Sequence, residues 1–147
     1  MQDAPQFDKS GFSIEPYCKR VEKPWGYELH WVPADTPYLA KIIHVNAGAR
    51  TSLQSHDEKQ ESWLLLSGKG AVIWEDANGE MTQTELLSAA GFNTKTGQRH
   101  RLIGITDCDI IEVSTPEVGI TWRLEDDYAR PNETPEQRAA DRGELAA

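Results

Sequence analysis

Apolar residues recur along most of the chain in short runs of alternating polarity, separated by clusters of Gly, Pro, Asn and Asp. Alternation turns successive side chains to opposite faces, so each run reads as a strand with one face toward a core. In chain order the predicted strands are YELHWV, YLAKIIHVNAG, SWLLLS, KGAVIWE, EMTQTELL, RHRLIGI and CDIIEVST. DANG, between KGAVIWE and EMTQTELL, has the composition of a hairpin turn. A strand roughly every ten residues, with turn residues between, predicts an all-β antiparallel sandwich or barrel.

Both ends depart from this pattern. Residues 1–19 are polar and broken by Pro5, Gly11 and Pro16, and read as a flexible arm. Its Phe7, Phe12, Ile14 and Tyr17 are available to dock on a neighbouring subunit. Residues 20–130 form the predicted barrel. In residues 131–147, Thr134, Pro135 and Gln137 make a helix start, with Thr as N-cap, Pro at the first helical position and Gln reaching back. Almost no apolar stripe follows, so this segment is expected to be a solvated, partly helical tail. A small open sandwich leaves strand edges to cover, which favours a homodimer.

Composition narrows the partners. At 147 residues the chain is sized for one domain. Its formal charge of -9 excludes nucleic acid and anionic membranes as expected partners, because both are bound through clustered Lys and Arg. No apolar run approaches the ~20 residues of a membrane span. MQDAPQFDKS has no basic segment followed by an apolar one, so no signal peptide is expected. Cys18 and Cys108 are far apart and in no C-x-x-C pattern, consistent with a reduced, cytoplasmic setting and simply packed or surface thiols.

Candidate chemistry concentrates in GARTSLQSHDEKQESWLLLSG, Gly48 to Gly68. Gln54 and His56 are two apart, so on a strand they share a face. Glu61 opens the next strand after the polar turn DEKQ, and the two strands could aim three metal ligands into one space. His100, in TGQRHRL, is a fourth candidate.

The spacing G-x5-Q-x-H-x4-E-x6-G, followed by G-x-x-H at Gly97 to His100, resembles the paired motifs of the cupin superfamily. With Gln54 where most cupins have His, the chain is more narrowly similar to the cupin domain of type II mannose-6-phosphate isomerases, often fused to mannose-1-phosphate guanylyltransferases. KPWGYE, YLAKIIHVNAGARTSLQSH, RHRL, IIEVST and RLEDDYAR carry the likeness, from Lys23 to Arg130. The resemblance implies a single-domain cupin, a double-stranded β-helix or jelly-roll barrel. There are departures: Lys95 stands where the family usually has Pro, Ala89 where a Gly or turn residue is expected, and Gly104 in place of Asn. The connection from Val113 to Arg123 is also shorter, and no nucleotidyltransferase domain is expected.

Gln54, His56, Glu61 and His100 offer two imidazole nitrogens, a carboxylate and an amide oxygen. That set suits a divalent transition metal, whether Zn, Fe, Mn, Ni or Co, with positions open to water or substrate. Such a centre polarises a sugar carbonyl while a base moves a proton between neighbouring carbons. Lys41 is the candidate for that role. LAKIIHV can turn either Leu39, Lys41, Ile43 and Val45 or Ala40, Ile42 and His44 inward, and the resemblance favours the first set. An inward Lys41 either binds a substrate anion or, with its pKa lowered by burial, carries protons.

Arg50 and Arg123 are candidates for a phosphate or carboxylate clamp. Trp63 shares the parity of Glu61 and is expected to line the pocket. Arg99 and Arg101 flank His100 and so point away from it, while His30 and His44 read as ordinary strand residues. Trp25, Trp31, Trp74 and Trp122 need no role beyond packing or an interface, and Asp126 and Asp127 are expected to hold a turn.

Three functions fit: a sugar-phosphate isomerase or epimerase, suggested by the family; a metal-dependent cupin oxygenase or lyase; and a non-catalytic small-ligand binding cupin. The first needs a basic clamp, for which this acidic chain offers only Lys41, Arg50 and Arg123.

Overall fold

The computed structural model describes residues 1–144. Its strands are β1 (Lys19–Lys23), β2 (Gly26–His30), β3 (Leu39–Val45), β4 (Leu53–His56), β5 (Glu61–Ser67), β6 (Gly70–Glu75), β7 (Met81–Glu85), β8 (Phe92–Asn93), β9 (His100–Gly104), β10 (Cys108–Ser114) and β11 (Thr121–Glu125), followed by helix α1 (Pro135–Asp141). One sheet has the order β1-β2-β3-β10-β5-β8 and the other β11-β4-β9-β6-β7. All pairings are antiparallel. The expected strands are present, and the structure adds β8, β11 and β1, the last formed by KRVEK and paired with β2 from Lys19↔His30 to Lys23↔Gly26. The one apolar residue of β1, Val21, gave periodicity nothing to register. No helix among the described residues is long and apolar enough to cross a membrane.

Facing sides of the two sheets enclose the core: Ile43 and Val45 on β3, Trp63 on β5, Val72 on β6, Leu102 on β9 and Ile110 on β10, with Trp25, Leu86 and Cys108. Ile43 is opposite Ile110, which is opposite Leu65, so branched side chains tile across three strands. Burial pushes the Cys108 thiol up to about 11, which makes it a packing residue.

Toward one end of the same inner face the chemistry changes. Lys41 precedes Ile43 by one inward step, Glu112 follows Ile110, and Glu61 precedes Trp63; all three are buried. Lys41 is opposite Glu112, which is opposite Trp63, and Glu61 is opposite Ser114, so the switch from apolar to charged comes one inward step later on β5 than on β3 and β10. The inward set is therefore Lys41, Ile43 and Val45.

Two departures from the family pattern have structural causes. Gly104 lies under the turn at Asn46, and a Cβ there would fall 2.5 Å from the Asn46 carbonyl oxygen. Lys95 donates its backbone N–H to Gln98 Oε1 at 3.0 Å, a bond that proline lacks the hydrogen to make. At the C-terminal end Thr134 caps α1 by accepting from the Gln137 backbone N–H at 3.1 Å, whereas the Gln137 side chain runs forward to Asp141 instead of reaching back. The helix is fixed by charge: Arg138 is buried and bonded to Glu133, and Arg142 to Glu117.

Replacing Gly104 by Ala is expected to cost about 1–3 kcal/mol through overpacking against the Asn46 turn, read from urea unfolding. Unchanged stability would show that the turn is not tightly seated on β9.

Candidate metal centre and its cavity

Strand parity brings the candidate ligands together. Gln54 and His56 project from β4 into the space between the sheets, Gln54 is opposite His100 on β9, and Glu61 enters from β5. Ligand atoms of His56, Glu61 and His100 all lie within 4.8 Å of one another. His56 Nε2 is 2.9 Å from Glu61 Oε1, and His100 Nε2 is 3.1 Å from Glu61 Oε2. The Gln54 amide nitrogen is 3.5 Å from His56 Nε2, while its Oε1 accepts from Ser52 Oγ at 2.6 Å. A half turn of that amide would direct its oxygen to the same point.

Both imidazoles are oriented from behind. His100 Nδ1 donates to the Gln98 carbonyl at 2.9 Å, which fixes the tautomer with a lone pair on Nε2. His56 Nδ1 is 3.0 Å from Thr121 Oγ1. Although close to Glu61, His100 Nε2 is not aligned for a hydrogen bond and is a buried polar atom without a partner. An orphaned imidazole nitrogen beside a buried carboxylate and a second imidazole is the donor arrangement a divalent cation completes. Trp63 packs its ring 5.0 Å from that of His100 and donates through Nε1 to Glu112 Oε1 at 3.3 Å.

Lys59, read in the sequence as part of a polar turn, is buried. Its Nζ is 2.8 Å from Glu61 Oε1 and 3.5 Å from both Glu112 Oε2 and Glu117 Oε1. Lys41 Nζ lies 3.3 Å from Glu28 Oε1, 3.7 Å from Glu112 Oε2 and 3.5 Å from Glu117 Oε1. Glu28 is in turn 2.9 Å from His30 Nε2, so His30 belongs to the network. Only the turn chemistry of DEKQ spoke for Lys59, and alternation alone gives Glu112 its inward place.

Charge states follow from this packing. Burial by itself would raise the Glu61 carboxyl, but Lys59 and the two imidazoles hold it well below the usual carboxylate range. The burial of Lys41 is likewise outweighed, by Glu117, Glu28 and Glu112, and its pKa is raised. Lys41 is therefore a fixed ammonium, contrary to the lowered pKa that burial alone suggested. Glu112 goes the other way: burial and the nearby Glu61 push it up despite two lysines.

The other expectations divide. Arg123 lines the cavity and is bonded to Glu133 Oε2 at 3.1 Å and to the Pro131 carbonyl, with its Nε unpartnered. Arg50 does not line it; its guanidinium makes a two-point contact with Asp127 at 2.7 and 2.9 Å on the outside. That contact corrects the clamp role read for Arg50. Arg99 pairs with Glu75, and Arg101, although turned from the cavity, is buried and donates to the Thr51 carbonyl at 2.7 Å. Asp126 holds its turn by accepting from the Arg130 backbone N–H at 2.7 Å.

Comparison with known proteins places these features in a family. A family model described as mannose-6-phosphate isomerase C-terminal matches residues 13–132. The alginate biosynthesis protein AlgA of Pseudomonas aeruginosa is 31% identical over 122 residues, which is 80% of this chain and 24% of AlgA. The xanthan biosynthesis protein XanB of Xanthomonas campestris is 28% identical over 132 residues, 88% of this chain and 26% of XanB. The chain thus spans about a quarter of the length of these relatives. Among solved structures, oxalate decarboxylase from Bacillus subtilis aligns with a TM-score of 0.62 at 18% identity, over 87% of this chain and 35% of that one. The capsular polysaccharide assembling protein CapF from Staphylococcus aureus aligns with a TM-score of 0.57 at 15% identity, over 86% and 34%. The two-sheet architecture is that of the cupins.

The network sets an acid limit on stability. Glu28, Glu61 and Glu117 are all held below the ordinary 4.5, so their stabilisation is complete above that value and is lost as pH falls through and below it. Glu112, raised, has the opposite sign: keeping it ionised costs stability as pH rises past 4.5. Three groups outweigh one, so urea-unfolding free energy is expected to fall steadily on acidification from about pH 5. Glu112→Gln should keep that acid limb and gain stability at neutral pH; a flat profile down to about pH 3 would contradict the assignment.

Proposed function

Because the chain belongs to the mannose-6-phosphate isomerase C-terminal family of cupins, we propose that it is a metal-dependent enzyme of the sugar-phosphate isomerase or epimerase type. The observation that carries this reading is the convergence of His56, Glu61 and His100, with His100 Nε2 buried and unpartnered, at the wall of a charged cavity. Gln54, His56, Glu61 and His100 would hold the ion, which supplies Lewis-acid polarisation of a carbonyl and hydroxyl. Gln98 and Thr121 hold the imidazoles in the orientation this requires.

The remaining residues bind and orient. Lys41 and Lys59, both held protonated, present ammonium groups to an anionic substrate inside the cavity, joined by Arg123 and Arg142. These cations supply the basic clamp that the acidic composition concealed. The Trp63 ring walls the site beside His100 and keeps water from that side. Of the cavity carboxylates, Glu112 is the one that burial and the nearby Glu61 push above the ordinary carboxylate range, which suits it to hold or move a proton. Two imidazoles and one carboxylate would equally serve a metal-dependent oxygenase or lyase; Gln54 beside them and the basic residues around them favour the isomerase class.

Purified protein is expected to carry close to one transition-metal ion per chain by elemental analysis, and His56→Ala and His100→Ala to lose it while staying folded. Metal-free wild type that still turns over substrate would remove the ion from the account. Metal-loaded protein is expected to interconvert mannose 6-phosphate and fructose 6-phosphate, with at least a hundredfold loss in His100→Ala. Absence of that reaction together with oxygen-dependent turnover of another substrate would move the chain to the oxygenase class.

A further inference from the structure

One cavity carboxylate differs from the others in what carries it. Glu28, Glu61 and Glu112 are on strands, and Glu133 is anchored by a two-way backbone pairing with Thr121. Glu117 is on the connection between β10 and β11, beside Pro116 and Gly119. Within that connection the Val118 N–H makes only a local bond to Pro116, and the Glu117 and Gly119 carbonyls accept from the Arg138 guanidinium at 3.1 Å, so this backbone is tied to α1 by a side chain and is not part of a strand pairing. Yet this loop side chain is 10% exposed and has four basic groups around it. Its Oε2 accepts from Arg142 at 2.5 Å; Lys41 Nζ and Lys59 Nζ each lie 3.5 Å from Oε1, and Arg138 Nε 4.0 Å from it.

Space points the same way. The cavity at the metal centre has a free volume of about 50 Å³, room for a few waters and far less than a sugar phosphate needs. Beyond Glu117 and Arg142, which line both spaces, lies a second cavity of about 300 Å³ against Tyr38 and α1. The Glu117 carboxylate is thus part of the partition between them. It is also only one ammonium away from the metal centre, since Lys59 touches both Glu117 and Glu61.

We propose that the Glu117 carboxylate occupies the subsite for the anionic group of the ligand, and that a phosphate or carboxylate entering between Lys41, Lys59 and Arg142 displaces it and joins the two cavities. This rests on the reading of the cavity as a substrate site, and not on which reaction occurs there. The cations that hold Glu117 ionised would serve an incoming anion equally well, because an oxyanion in its place meets the same ammonium and guanidinium donors. Strand-borne Glu28 and Glu112 remain to balance Lys41 while the loop side chain is away.

The test is calorimetric titration of the metal-loaded chain with inorganic phosphate and, separately, with acetate. Glu117→Gln is expected to bind at least one of them tenfold or more tightly than wild type, the stronger of the two identifying the preferred class. Adding Lys41→Met or Arg142→Met to Glu117→Gln should abolish the gain. Equal or weaker binding of both anions by folded Glu117→Gln overturns the proposal. Should that variant not fold, hydrogen exchange on wild type decides: bound anion should speed exchange at Val118 and Ile120, and unchanged or slower exchange, or no binding of either anion, counts against displacement. Anion affinity is read without turnover, so a failed isomerase assay leaves this result interpretable, and a failed titration leaves the assay so.

Discussion

The polar half of the barrel interior depends on charge balance. An unpaired ion buried between two sheets costs several kcal/mol, and the pairing here is mutual, with each of Glu28, Glu61, Glu112 and Glu117 meeting at least one of Lys41 and Lys59. Lys41 and Lys59 each meet three carboxylates, so removal of either lysine uncovers several buried charges at once. The apolar half, from Ile43 to Cys108, supplies the stability that supports this arrangement and the rigidity that keeps ligand atoms of His56, Glu61 and His100 within 4.8 Å of one another. Function and cost occupy the same end of the barrel.

Backbone register explains why the site forms where it does. The single pairing between β4 and β9 joins Gln54 to His100, so two candidate ligands are fixed by one point of contact between neighbouring strands. Glu61 comes from the opposite sheet and closes the gap from the other side. The turn from His56 to Glu61 contributes Lys59, whose ammonium takes a position on Glu61 that a divalent ion would share. In the proposed metal-bound state Glu61 is stabilised by the ion, and Lys59 is free to turn toward substrate. The segment after β11 completes the enclosure through guanidinium groups, since Arg138 and Arg142 tie α1 to Glu133 and Glu117.

Much of the fold was legible in the sequence because alternation is a direct record of which side chains face inward. The parity of Gln54 with His56 follows from it, whereas the hairpin at Asp76 to Gly79 was read from turn composition, and the inward choice at Lys41, which alternation left open, from the family resemblance. β1 was not legible: KRVEK has one apolar residue, and its pairing is determined by β2 instead of by its own pattern. Around the site, the limits were electrostatic. Burial of Lys41 suggested a lowered pKa, but the three carboxylates that reverse the shift come from β2, β10 and the following loop, and no local pattern names them. Lys59 stood among charged neighbours in a turn, where a solvated lysine is the ordinary outcome, and Arg50 was diverted by Asp127, distant in sequence. Position along a strand can be read from local composition; ion pairing between strands cannot.

Gln54, the residue that departs from the common cupin set, has its amide oxygen on Ser52 and its nitrogen toward His56. The central claim is that this amide, two imidazoles and Glu61 share one ion. X-ray absorption at the K-edge of the bound metal tests it most directly. The expected result is a shell of nitrogen and oxygen donors with outer-shell scattering from two imidazoles, and no such shell in His100→Ala, which loses the ion. A shell containing sulfur, or wild-type spectra without imidazole scattering, would contradict it.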